Sequence, residues 1–179
     1  MKLTSDYIEH ATNLPADIRT GDLPDIDLYM DQVITLLGRG KDKEAVKVTK
    51  TMINNYRKMN IIKPLKGKKY SPEHIVQLLL ILQLKNLLTI GEIERMLPAL
   101  YNTEGGDVSL KNSYDTFLNQ VPQILQQVRQ SMQNLLPEQQ QGSQALLSLL
   151  ILSRMQEYIA AVATNIVNDQ FPSSEKEKK

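Results

Sequence analysis

The sequence has no cysteine, few aromatic residues and little glycine, and each shortage excludes a class of structure. Without cysteine there can be neither a disulfide framework nor a thiolate metal site, which fits a reducing cytoplasm. Aromatic residues make up 5% of the 179 residues and there are 8 glycines, whereas 41% of the residues are hydrophobic. This balance favours aliphatic helix packing over a β-sandwich or barrel, so we expect an all-α protein.

Patterns that carry catalysis or metal binding are also missing. The two histidines, His10 and His74, are far apart in the sequence, and neither a metal-ligand spacing nor a glycine-rich phosphate loop occurs. His74 falls in the first turn of a predicted helix, where a capping or surface role is favoured over a ligand role. We therefore expect a protein that is not an enzyme and has no cofactor.

The N-terminal residues 1–10 include two acids and lack the apolar run of a signal peptide. The longest nearly apolar runs, residues 78–82 and 145–152, are shorter than a bilayer-spanning helix requires. We expect no membrane segment and a cytoplasmic location.

The net charge of +1 hides a strong segregation of charge along the chain. Residues 39–69 contain eleven basic and two acidic side chains, a net of +9, so the remaining residues sum to −8. Lysine-rich stretches are usually solvated surface, but this concentration points to an anionic partner.

The helix predicted over residues 50–59, with Thr49 as its N-cap, has two different faces. Its apolar side chains share one side, and at 100° per residue the opposite side is basic and amide-bearing. Asn55 lies on the flank of that polar side. This division is typical of a recognition helix, and the candidate DNA-binding residues on and beside it are Lys47, Lys50, Thr51, Asn54, Asn55, Arg57 and Lys58.

Around this helix the sequence predicts further elements. Residues 1–24 read as an irregular arm, and a helix capped by Asp27 should run from Leu28 to Gly38. Residues 63–70 read as a small β-turn wing, in which Lys66, Lys68 and Lys69 are candidate phosphate contacts. Ser71-Pro72 should start a buried helix reaching about residue 86, and a capping box at Thr89 should start another that stops near Pro98.

Residues 104–107 form a polar break before two long helices, predicted over residues 113–135 and 143–167. One apolar face of the last helix should pack on its neighbour in a helical hairpin, residues 108–170, and a wider set of side chains should form a homodimer seam. That set is Leu146, Leu149, Leu150 and Ile159. The tail, residues 171–179, is expected to be disordered.

The order of these motifs resembles the N-terminal DNA-binding domain of MerR-family regulators. Carrying the resemblance are Asn55-Tyr56-Arg57-Lys58 at the end of the recognition-type helix, Lys69-Tyr70-Ser71 after the wing, and Leu88-Thr89-Ile90-Gly91-Glu92-Ile93. Where that family usually has an arginine and a tyrosine before the matching tyrosine, this chain has Asn54 and Asn55. The resemblance implies a winged helix-turn-helix domain over residues 25–103.

Two further segments, residues 23–33 and 51–56, look like those of a bacterial family of uncharacterised proteins, catalogued as a domain of unknown function and assumed to bind DNA. Together the resemblances imply a dimeric transcription regulator that binds double-stranded DNA; a small-molecule effector is unknown. The alternatives are a helical adaptor for another protein, or an RNA-binding module, without catalytic activity.

Overall fold

The computed structural model describes residues 3–11, 18–38 and 48–173, and this part of the chain is mostly helical. Its α-helices are α1 (Thr4–Ala11), α2 (Met30–Leu37), α3 (Lys50–Lys58), α4 (Pro72–Leu84), α5 (Ile90–Tyr101), α6 (Gly106–Leu135) and α7 (Ser143–Gln170). Two short strands, β1 (Leu28–Tyr29) and β2 (Lys69–Tyr70), pair antiparallel. The expected all-α class with a small β element is confirmed.

The helices α3, α4 and α5 begin where the sequence predicts, because a side chain caps each of them locally. At the start of α4, the Ser71 N–H donates to the His74 ring at 3.1 Å. The Thr49 hydroxyl accepts a hydrogen bond from the Met52 N–H at 3.2 Å at the start of α3. At the start of α5, the Thr89 N–H donates to the Glu92 carboxylate at 2.7 Å and the Glu92 N–H donates back to the Thr89 hydroxyl at 3.3 Å. Such caps contribute about 1 kcal/mol each.

The N-terminal predictions were wrong in two places. Residues 4–11 form α1 instead of an irregular arm, and the Thr4 N–H donates to the Glu138 carbonyl at 2.9 Å. Leu28 and Tyr29 form β1, so α2 starts at Met30 with Tyr29, not Asp27, as its N-cap. Both differences arise from partners that are distant in the sequence, which local patterns do not show.

Two helix boundaries also differ from the prediction. α5 continues through Pro98 to Tyr101, whose buried ring packs in the core. α6 begins at Gly106, seven residues before the predicted start, because the polar break is a tight turn and not a linker. Gly105 has a φ of 69° there, in the left-handed region, and the Gly106 N–H donates to the Thr103 carbonyl at 3.0 Å.

The core is aliphatic and centres on α4, which packs against α5, α6 and β2. Ile75, Leu78 and Ile81 of α4 are each at most 1% exposed, as is the polar side chain of Gln77. The prediction that this helix is the central buried one is confirmed.

Burial is unequal along α6 and α7. Leu110, Tyr114 and Leu118 of α6 are buried in the core, and α6 has no buried residue after Leu118. In α7 the buried residues are Ser148 and Val167. The apolar face of α7, which the prediction packs on α6 in a hairpin, is largely exposed, at Leu147, Tyr158, Val162 and Ile166. We call residues 119–166 the arm.

Both ends of α7 are nevertheless tied to the rest of the molecule. Near its C-terminus the Thr164 hydroxyl donates to the Glu92 carboxylate at 2.9 Å, and Arg95 donates to the Asn168 side chain at 3.0 Å. Before its N-terminus, Gln140 donates to the hydroxyl of Thr4 in α1 at 2.8 Å. α1 therefore fastens the connection between α6 and α7.

Among the described helices, α7 is long and apolar enough to cross a membrane, judged by length and composition only. The core helices of soluble proteins, which are mostly buried, meet the same criterion, whereas 6% of this apolar window is buried. The expected absence of a membrane segment therefore stays a prediction.

Gly106 should be required for the turn between α5 and α6. A Cβ atom there would lie 2.3 Å from the Leu100 carbonyl oxygen and 2.9 Å from the Tyr101 Cα, both backbone atoms. We expect Gly106→Ala to lower the free energy of unfolding by about 1–3 kcal/mol, the usual cost of overpacking. Denaturant titration followed by circular dichroism measures it.

Gly91→Ala in α5 is the matched control, since a Cβ atom at that position has nothing within 4 Å. Its unfolding free energy should be unchanged or slightly raised. Equal losses in the two variants would contradict the packing explanation.

Candidate nucleic-acid interface

The polar face predicted on α3 is the face that the structure exposes to solvent. Ile53 and Tyr56 are buried and Met52 is partly buried. The exposed side chains are Lys50, Thr51, Asn54, Asn55, Arg57 and Lys58. Lys47 lies outside the described residues.

The lysines predicted to form a wing lie on an exposed turn, residues 66–69, which we call the basic turn. Gly67 has a φ of 77°, a conformation that favours glycine, and Lys66, Lys68 and Lys69 are all exposed. The strand at the end of this turn is β2, and its partner strand lies outside the predicted wing. β2 pairs with β1, which places Lys69 opposite Tyr29 and Tyr70 opposite Leu28.

The first turn of α2 brings α3 and the basic turn together. Lys50 at the start of α3 forms an ion pair with Asp31, with 2.7 Å between its Nζ and the Asp31 Oδ1. From the other side, the Lys69 Nζ lies 5.2 Å from the centroid of the Tyr29 ring. Tyr29 at the N-cap of α2 and Asp31 in its first turn therefore each contact one basic element, and the two elements form one surface. We call the exposed side chains of α3 and the basic turn the basic surface.

Two tyrosines support this surface from below. Tyr56 is 7% exposed and Tyr70 is 1% exposed, so both are core residues, as favoured by the periodicity. Burial raises the pKa of Tyr56 and of Tyr70, and the nearby Arg57 guanidinium opposes part of the rise for Tyr70. Arg57 of α3 therefore lies close to Tyr70 of β2.

Behind the basic surface, a group of hydrogen bonds and one ion pair hold the segment between α3 and the basic turn. The Tyr101 hydroxyl donates to the Asn60 carbonyl at 2.9 Å, and Asn60 has a φ of 55°. The Lys63 N–H donates to the Gln77 side chain at 3.0 Å, and the Lys63 ammonium forms an ion pair with Asp107. Lys63 therefore faces inward and is not part of the basic surface.

The sequence alone does not predict these polar contacts. Gln77 interrupts the apolar run of α4, a pattern that indicates a buried, hydrogen-bonded amide. Asp107 lies in the predicted polar break, and no sequence pattern indicates its contacts, because its partners lie on other elements.

Four exposed aspartates lie at the start of α2 or in the segment before it. They are Asp22, Asp25, Asp27 and Asp31, of which Asp31 is in the first turn of the helix. Of these, Asp31 contacts a member of the basic surface directly.

His74 is a capping residue. The Ser71 N–H donates to its Nδ1 at 3.1 Å, and the imidazole is 8% exposed. Burial lowers the pKa of His74 below its usual value of 6.5. Among the described residues no group of histidines and carboxylates could hold a metal ion.

The residues predicted to form a dimer seam are exposed, but they do not share one side of α7. Leu146, Leu149, Leu150 and Ile159 are 58%, 64%, 59% and 52% exposed. At 100° per residue the three leucines cluster, whereas Ile159 lies roughly 130° from them. Leu147, 49% exposed, extends the cluster, and we call these four leucines the leucine patch.

Comparison with known proteins gives one family match. A family model described as a domain of unknown function (DUF1836) matches residues 18–117, more than half of the chain. No curated protein and no solved structure matches. The matched segment contains the whole basic surface and ends within α6.

The lowered pKa of His74 predicts a pH-dependent stability. The unfolded state binds a proton more readily, so stability is fully present above about pH 6.5 and is lost as the pH falls toward the lowered pKa of the folded state. Glu73 and Glu92, whose pKa values are lowered from 4.5, respond below this range.

His74→Gln should retain the cap, since glutamine accepts the same bond, and should flatten the dependence of the unfolding temperature between about pH 7.5 and 5.5. Asn112→Gln, at an exposed residue of α6 without a titratable group, is the control and should keep the wild-type slope. Identical slopes in the wild type and in His74→Gln would exclude His74 as the titrating group.

Proposed function

Since the chain belongs to the DUF1836 family, whose name states no activity, we propose from its own residues that it binds double-stranded DNA and regulates transcription. One observation carries the proposal: α3 and the basic turn expose one basic surface on a rigid aliphatic core. Concentrated cationic surfaces of this kind attract phosphate backbones. In the same proposal the protein is cytoplasmic and has no catalytic activity.

The order of elements supports a winged helix-turn-helix of the MerR kind as the form of this domain. α2 and α3 pack together, the basic turn follows, and β2 leads into α4. In such domains the second helix enters the major groove and the wing contacts flanking backbone. We assign these roles to α3 and the basic turn.

Asn54 is the proposed base-reading residue of α3. It is exposed opposite the buried side of the helix, whereas Asn55 lies about 100° round on the flank. The asparagine amide offers a donor and an acceptor side by side, which matches the adenine edge in the major groove. Thr51, one turn earlier, is placed to contact a base or a phosphate.

The basic turn is proposed to grip phosphates without reading sequence. Lysine ammonium groups are point charges without the planar fork of arginine, and the turn presents three of them around Gly67. This division of roles makes the two elements experimentally separable.

Substitutions in the basic turn and in α3 should therefore have different effects. The triple variant Lys66→Ala, Lys68→Ala, Lys69→Ala should bind every duplex more weakly, and its salt dependence should fall by up to about 0.9 log units per lost phosphate contact. Asn54→Ala should keep its affinity for a random duplex and change the sequences recovered by selection. Fluorescence anisotropy across a salt series and sequence selection measure the two effects.

The charge-matched control is the triple variant Lys85→Ala, Lys111→Ala, Arg129→Ala, with the first residue at the C-cap of α4 and the other two on α6. The affinity of this control for a duplex should equal that of the wild type, apart from the small effect of the lower net charge. A basic-turn variant with unchanged affinity and salt dependence would contradict phosphate binding by the turn. Identical selected sites for the wild type and Asn54→Ala would contradict base reading.

We further propose a homodimer formed through the arm. The leucine patch is exposed, and the second half of α6 also exposes Ile124, Val128 and Leu135. Arg154 and Glu157, the charged residues in this part of α7, pair with each other at 2.8 Å. A second copy would thus meet an apolar face without net charge, and a two-fold dimer would present two α3 helices to successive half-sites.

Leu146→Glu with Leu150→Glu should convert the dimer to a monomer, because two carboxylates would be buried in the seam. Light scattering at tens of micromolar measures the mass. Ile26→Glu, at a side chain 65% exposed and outside the arm, is the control and should remain dimeric. A monomeric wild type would exclude the dimer.

The exposed leucine patch also favours a second candidate function, that of an adaptor for another protein. The two candidates differ in their response to salt. DNA binding through several phosphates weakens steeply with ionic strength, whereas an apolar contact does not.

A further inference from the structure

Asp31 places a negative charge inside the basic surface. Its carboxylate Oδ1 lies 2.7 Å from the Lys50 Nζ, and the two side chains are 76% and 62% exposed. Among the described residues, Lys50 is the member of the basic surface whose ammonium is paired with a carboxylate. The pair is therefore on the face that would meet a phosphate backbone.

A carboxylate bound to a lysine ammonium occupies the place that a phosphate oxygen would take. Exposed ion pairs of this kind are worth only about 0.2–1 kcal/mol, so an approaching phosphate can displace the carboxylate. The displaced Asp31 would then lie beside the bound phosphate and repel it. Both effects lower affinity at the same point of contact.

We propose that Asp31 is an affinity-limiting residue that competes with DNA phosphate for Lys50. The proposal rests on the proposed DNA binding and adds a function for the aspartate that contacts the basic surface. With Asp31 present, Lys50 contributes little to binding; without it, Lys50 becomes an additional phosphate contact. Weak binding to arbitrary duplexes lets base contacts decide where a DNA-binding protein resides.

The test is a double-mutant cycle on a random-sequence duplex, with the wild type, Asp31→Asn, Lys50→Ala and the double variant. Asp31→Asn should bind about two- to fivefold more tightly at low salt, the equivalent of an exposed ion pair. Its salt dependence should steepen by up to about 0.9 log units, which corresponds to one added phosphate contact. In the Lys50→Ala background, the same substitution should have a much smaller effect.

Asp27→Asn is the matched control, since it removes the same charge from an exposed aspartate four residues earlier. Its effect should be small and equal in both Lys50 backgrounds. Thermal unfolding by circular dichroism verifies that the variants are folded, and Asp31→Ala provides a second substitution at the exposed position.

The outcomes separate the two proposals. If the wild type binds with a steep salt dependence and the cycle shows no coupling between positions 31 and 50, the role of Asp31 is overturned and DNA binding stands. Equal gains from Asp31→Asn and Asp27→Asn also overturn it, because they show only the effect of net charge. Binding by Asp31→Asn and none by the wild type supports it, and no binding by any variant overturns both proposals.

Discussion

The ion pair between Lys63 and Asp107 is the interaction on which the arrangement of this molecule depends. It joins the segment that leaves α3 to the first turn of α6, and the buried Gln77 of α4 completes the link by bonding the Lys63 N–H at 3.0 Å. The Tyr101 hydroxyl donates to the Asn60 carbonyl beside this pair, and burial and the Asp107 charge raise the pKa of Tyr101. These few groups hold the basic surface in a fixed orientation relative to the core.

Local chemistry explains why much of this fold could be predicted. The caps of α3 and α5 join residues three apart, and Ser71 and His74 do the same for α4, so each start is visible in a window of four residues. α1 and β1 have their partners at least 40 residues away, at Glu138 and at β2. No local window contains that information, and both were missed.

The candidate interface divides in the same way. Periodicity predicts that Asn54 and its neighbours lie on the exposed face of α3, because the buried apolar side of a helix determines which side is exposed. The ion pair of Lys50 with Asp31 and the inward turn of Lys63 depend on how helices pack, so charge counts along the chain treated all the lysines as equivalent. The family match, which gives no residue roles, leaves that distinction to the geometry.

Leu118, the last buried residue of α6, lies one position beyond the end of the family match at residue 117. The segment that matches the family therefore holds most of the buried core, to which α7 adds Val167. Between Leu118 and Val167 the only buried residue is Ser148, so this length of chain can change in sequence with little effect on the core. Changes in the arm can thus leave the surface carried by α3 and the basic turn intact.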